Sequence, residues 1–238
     1  MKTLPLPTTD ATRGPARAHR AERPLVVEVA GPASAGKSTL ARTLQRLDPE
    51  ILARPRLTVP QYVLSVPPLL PVLVGLHRPF RGILRKEMKR VVRLGALHRF
   101  ANRITGCRTL LFDEGPVYLL ARTLVYGGQK IETRGFARWW KRAIAQWAAT
   151  LDVVIWLDAP DGTLSNRIVA RRRWHRTQSY DDQRRIRFLQ SYRAAFSRIL
   201  DELTAARGPQ LWTLATAGAS PHHNAEQVLA RLHAQKPR

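Results

Sequence analysis

Eight residues, Gly31-Pro-Ala33-Ser34-Ala35-Gly36-Lys37-Ser38, set two glycines, a lysine and a hydroxyl in the spacing GxxxxGKS. Phosphate binding is the chemistry that this spacing serves. Glycine at 31 and 36 lets the backbone turn sharply, so that successive amides point into one concavity that fits a β-phosphate. Lys37 would bridge the β- and γ-oxygens, the Ser38 hydroxyl would ligate Mg2+, and Thr39 would help at the α-phosphate.

A second acidic site follows at Leu110-Leu-Phe-Asp113-Glu114-Gly115, an apolar run that ends in two carboxylates. Asp113 is expected to hold the metal, directly or through water. Either acid could accept the proton of an attacking hydroxyl, and in a hydrolase the second would orient water. Residue types alone leave Glu114 between these roles, and the pair could also cap a helix near Pro116. Farther on, Arg167, Arg171, Arg172, Arg173 and Arg176 form the densest basic cluster in the chain. Guanidinium groups closing over a transferring phosphoryl group would stabilise its charge and exclude water, so residues 161–178 read as a lid. Helical spacing sets Arg167 and Arg171 on one face, and Arg173 is the third arginine favoured for that role. The alternative is a solvated basic face.

Positioning such residues requires strands that deliver loops to one edge. Leu25–Ala30 reads as a buried strand and Lys37–Leu47 as the helix after its glycine turn. Runs at 109–112, 153–157 and 210–214 supply three more strands, with Asp113 and Asp158 at strand ends. Alternating strands and helices imply a mostly parallel sheet covered on both faces, with ligands at the carboxyl ends of the strands. Residues 1–23 mix Thr, Pro, Ala and Arg without apolar period and are expected to form a flexible basic arm before one domain over 24–238. Pro60 to Leu76 carries no charge but four prolines, which argues against a membrane span. Arg78 to Arg103 reads as an amphipathic basic helix. Together, residues 58–103 read as a proline-broken insert packing on the core or facing a substrate or a membrane surface. Trp139, Trp140 and Trp147, at helical spacing, read as core.

The chain has 238 residues, a net charge of +23 and a single cysteine, Cys107. An internal disulfide is excluded, no secretory leader is visible, and a cytoplasmic setting is expected. The charge favours anionic partners, and nucleic acid or an anionic membrane would answer it as well as nucleotide phosphates do. No base-reading module and no Asn-Lys-x-Asp guanine-reading segment is present.

These residues resemble the thymidylate kinase and deoxynucleoside kinase branch of the P-loop kinases over about Leu25 to Leu232. The likeness rests on the phosphate loop, on Leu151-Asp-Val-Val-Ile-Trp-Leu-Asp-Ala-Pro160 before the basic lid, and on Thr213 to Pro221 before a closing helix. It implies a three-layer α/β fold with a five-stranded parallel sheet in the order 2-3-1-4-5. It further implies ATP with Mg2+, a substrate groove under the lid, residues 58–103 on the acceptor side, and the 213–221 segment along the adenine. Such relatives usually carry arginine after the acid at position 113, where this chain has Glu114-Gly115-Pro116. The expected activity is phosphoryl transfer to a small molecule: a nucleoside or its monophosphate, a sugar or antibiotic hydroxyl, or a lipid head group. An ATPase using Asp113 and Glu114 is the alternative, and a homodimer stays open.

Overall fold

The structure, a computed structural model, describes residues 23–77, 84–127, 134–171, 177–218 and 220–235. At its centre lies a five-stranded parallel sheet with strands β1 (Leu25–Ala30), β2 (Ile51–Ala53), β3 (Thr109–Asp113), β4 (Val153–Asp158) and β5 (Gln210–Ala215). Their spatial order is 2-3-1-4-5, the order expected from the resemblance. Strand β1 is central and buried throughout, as a parallel strand covered on both faces must be. Its register pairs Val29 with Asp113 of β3 and with Ile155 of β4. The carboxyl ends of three neighbouring strands therefore open on one edge.

Helices cover both faces. Helix α1 (Lys37–Leu47) follows β1, buries Leu40, Ala41 and Leu44, and packs with α9 (Pro221–Ala234) on one face. The other face carries α4 (Leu84–Ala101), α5 (Pro116–Gly127), α6 (Arg134–Thr150) and α8 (Asp182–Ala205). Between β2 and α4 lie two short helices, α2 (Val59–Val63) and α3 (Leu70–His77), separated by a single turn of 3-10 helix at Pro67–Leu69. Helix α7 (Asp161–Val169) follows β4.

The tryptophans at 139, 140 and 147 are buried core residues against Phe136 and Phe112. Val91, Leu94 and Leu97 form the buried stripe of α4, so the amphipathic expectation for this stretch holds where side chains are described. No helix among the described residues is long and apolar enough to cross a membrane. Of the expected amino-terminal arm, residues 1–23, all but Arg23 lie outside the described residues, and Arg23 pairs with the buried Asp152 at 2.7 Å.

Candidate active site

Strand β1 delivers the chain into the glycine turn. Gly31 has φ +146°, and a Cβ there would stand 2.2 Å from the carbonyl oxygen of Leu157. Only glycine lets the turn pass β4 that closely. Gly36, at φ +98°, begins α1, and no side chain caps that helix. The first amides of α1 are thus left for an anion, at the positive end of the helix dipole. Lys37 folds back across the loop and donates to the carbonyls of Gly31 at 2.9 Å and Pro32 at 2.8 Å. Its ammonium is pushed down to about 8, first by burial, with the charges of Asp113 and Glu114 pulling the other way. A half-buried lysine that donates to two carbonyls and feels the charge of two acids can exchange those carbonyls for phosphate oxygens.

Strand β3 carries Asp113 beside that lysine. One carboxylate oxygen, Oδ2, accepts from Arg54 Nε at 2.8 Å. The other, Oδ1, is buried without a hydrogen-bond partner. A desolvated, unpartnered carboxylate oxygen is costly unless something else takes it up. Together with the Ser38 hydroxyl it fits Mg2+, which needs only one or two protein oxygens when phosphates and water complete its shell. The described residues contain no cluster of three His, Cys, Asp or Glu side chains suited to a metal, and that requirement makes none necessary.

Glu114 follows with φ +67°, a backbone costly for a non-glycine residue and typical of functional turns. Behind it, Glu28 of β1 is completely buried and accepts from the amides of Val117 at 2.7 Å and Tyr118 at 2.9 Å. This carboxyl caps α5 from within the sheet. Gly115 is needed here, because a Cβ would lie 2.9 Å from the Glu28 carboxyl and 2.6 Å from Phe112 Cβ.

Two cavities flank the loop. One, of about 410 Å³, is lined by Lys37, Ser38, Arg42, Glu114, Arg167 and Arg171, and on its far wall by Tyr118, Phe188 and Tyr192. The other, of about 310 Å³, runs past Leu40, Leu157, Leu214, Thr216, Pro221 and Asn224. Arg167 borders both. It donates to the Thr216 carbonyl at 2.7 Å and to the Thr216 hydroxyl at 3.1 Å.

No family model matches the chain, and no curated protein does. Solved structures do. Deoxyadenosine kinase from M. mycoides, with the products dCMP and a flexible dCDP bound, superposes with a TM-score of 0.53 at 14% identity over 89% of this chain and 100% of that one. The YorR protein of Bacillus subtilis, in complex with phosphorylated GDP, superposes at 0.50 with 14% identity, over 89% of this chain and 99% of that one.

The chain has the deoxynucleoside kinase fold. Within it, Gly31, Ala33, Ser34, Ala35, Gly36, Lys37, Ser38 and Thr39 lie in the loop and first turn of α1, beside one or both cavities. Glu114 also lines the larger cavity, and Asp113 stands next to Lys37. Helix α7 ends at Val169, so Arg171 lies beyond it rather than one turn above Arg167 on the same helix. Both arginines nevertheless reach the larger cavity. Arg173 lies outside the described residues, as do Arg172 and Arg176. Asp158 lines neither cavity, and its carboxylate pairs with Arg193 of α8 at 2.9 Å.

Sequence reasoning missed Glu28, Arg42, Arg54 and the aromatic wall of Tyr118, Phe188 and Tyr192. Arg54 and Glu28 carried faint signals, a basic residue just after a short apolar run and a charge inside a buried strand. Tyr118 and Tyr192 sit on helices whose apolar faces read equally well as core.

Proposed function

We propose that the protein is a P-loop kinase that transfers the γ-phosphoryl group of ATP to a hydroxyl of a nucleoside-like acceptor. One observation supports this reading above the others: two cavities of different chemistry meet at a single phosphate loop. The apolar one, past Leu157, Leu214 and Pro221, suits the base of a nucleotide whose phosphates lie on the loop. The larger one offers Glu114 at the loop and a wall of Tyr118, Phe188 and Tyr192, which suits a flat ring carrying a hydroxyl.

In this reading the amides of residues 33–38 and Lys37 hold the β- and γ-phosphates. Ser38 and Asp113 Oδ1 would hold Mg2+, which supplies charge neutralisation on the phosphate oxygens. Asp113 Oδ2 is taken by Arg54, which leaves Glu114 as the carboxylate able to accept a proton in the larger cavity. The acceptor oxygen bonds to the γ-phosphorus, its proton passes to Glu114, and ADP leaves. Arg171 would cover the transferring group, the role expected of Arg173 as well, and Arg167, tied to Thr216 and bordering both cavities, would reach from the phosphates towards the base. The ATPase alternative uses the same carboxylate to orient water.

The test is ATP turnover by the purified protein, alone and with panels of nucleosides, nucleoside monophosphates, sugars and aminoglycosides. Turnover is expected only with one acceptor class, with kcat lowered about 100-fold or more in Lys37→Ala and in Glu114→Gln. Steady acceptor-independent hydrolysis that Glu114→Gln abolishes would replace the kinase reading with a hydrolase. Unchanged turnover in a folded Lys37→Ala variant would sink both.

A further inference from the structure

From Thr58 to Pro71 the chain carries no charged side chain, and this segment lies apart from both cavities. Val59, Val63, Leu64 and Leu70 are 75%, 61%, 51% and 51% exposed, four of the seven large hydrophobics so exposed among the described residues. Pro60, Pro67, Pro68 and Pro71 are exposed with them. The segment is nonetheless firmly built. Gln61 Oε1 accepts from the Thr58 amide at 2.7 Å, and the buried Ser65 hydroxyl donates to the Gln61 carbonyl at 2.7 Å. Helix α2 packs on α4, and a Cβ at Gly95 would stand 3.1 Å from Leu69 Cδ1. The apolar side chains are thus held outward by an ordered element. One turn of α2 sets Val59 and Val63 on the same face.

Beside this strip stands a basic rim. Arg138 and Arg142 of α6, both exposed, line a cleft of about 240 Å³ with Pro68, Pro71 and Trp139. Lys141 is exposed on the same helix. Residues 51–150 contain 18 Lys and Arg against four acids, and two of those acids, Asp113 and Glu114, belong to the candidate active site. A contiguous apolar face on a soluble surface marks a partner, and the charge beside it selects which. A second copy of the chain in a two-fold contact would bring the same cationic rim near itself. An anionic surface is attracted by it.

We propose that the α2–α3 face, with the α6 arginines, docks on an anionic lipid bilayer. Val59, Val63, Leu64 and Leu70 enter the boundary between headgroups and acyl chains, and Arg138 and Arg142 pair with lipid phosphates. The attachment is peripheral, since the segment is too short and proline-broken to span.

Co-sedimentation of the full chain with vesicles tests this without nucleotide or turnover, so its outcome is independent of the kinase reading. Binding is expected to phosphatidylcholine vesicles that contain phosphatidylglycerol and not to phosphatidylcholine alone. The double variant Val63→Glu, Leu64→Glu and the double variant Arg138→Glu, Arg142→Glu should each weaken it about tenfold or more. The second pair sits on an exposed helix face, so it keeps the test open should the first fail to fold. Full retention of binding by a folded Val63→Glu, Leu64→Glu protein would overturn the proposal in favour of charge alone. Equal binding to neutral vesicles, or none to either, also overturns it. A concentration-dependent dimer in lipid-free buffer, abolished by the same pair, would assign the face to a second copy.

Discussion

Glu28 anchors the start of α5, just after the turn at Glu114, by accepting from the amides of Val117 and Tyr118. It is fully buried in the central strand, and burial pushes its carboxyl from 4.5 up to about 8 despite the amides of α5 that favour the ion. The folded protein therefore holds a proton that the unfolded chain releases above 4.5. By linkage, stability from this group is complete below 4.5 and is lost as pH rises towards 8. Lys37 acts in the opposite sense in the nucleotide-free protein. Its folded value of about 8 lies below the ordinary 10.5, so the cost of its buried charge stands below 8 and is relieved towards 10.5. Thermal unfolding across this range should show Tm falling from about pH 5 to 8, with the slope flattened in Glu28→Gln. An identical slope in the variant would remove Glu28 from the account. None of this could be read from the chain, where Glu28 appears only as one charge within Leu-Val-Val-Glu-Val-Ala. The phosphate loop was legible because its glycines and lysine carry their chemistry at fixed local spacing. The aromatic wall was not, because Tyr118 and Tyr192 are brought together by packing between α5 and α8.

Helix α7 and residues 177–180 are joined through Arg185 of α8, which is 7% exposed. Its Nε donates to the Ser165 hydroxyl of α7 at 2.8 Å, and its guanidinium donates to the Tyr180 carbonyl at 2.7 Å and the Thr177 carbonyl at 3.3 Å. One buried cation thus ties residues 177–180 to the helix carrying Arg167. Replacing it with methionine removes the charged donor from the Ser165 hydroxyl and the Tyr180 carbonyl, while the Thr177 carbonyl keeps the Tyr180 amide at 3.2 Å, at a cost of about 3 kcal/mol. Scanning calorimetry of Arg185→Met should show Tm lowered by about 6–12 °C. If the tie positions the lid, KM for ATP should also rise in turnover assays run below that Tm. A lower Tm with unchanged KM would reduce Arg185 to a structural role. The helix end at Val169 was hidden because Ala170 and the arginines after it are good helix formers, with no glycine or proline to mark a stop. Strand β2 escaped the sequence reading for a related reason: Ile51–Ala53 is three residues long, below any period that hydropathy can display.

Across the molecule, the strand order sets the loop of β1 between the ends of β3 and β4, the place where open parallel sheets collect ligands. Hydrophobic runs that alternate with helical stretches were enough to anticipate a mostly parallel sheet with ligands at its carboxyl edge, whereas the strand order came only from the family resemblance. What the layout adds is a mechanical consequence. The larger cavity is walled by α5, α8 and the end of α7, and the smaller by β4, β5, α1 and α9, so a ligand spanning both bridges the two faces of the sheet. Such a ligand binds only the folded chain, and at about 100 times its Kd it stabilises by about 2.7 kcal/mol. Thermal-shift measurements with Mg2+ and a non-hydrolysable ATP analogue should therefore raise Tm by about 5–10 °C. In Lys37→Ala the shift should be small, because the loop would keep its amides and lose its cation. Adenosine alone, which on the proposed reading would enter the apolar cavity but bring no phosphate to the loop, should give much less than the analogue. A full shift with adenosine, or an undiminished one in Lys37→Ala, would mean that the nucleotide sits elsewhere on the fold.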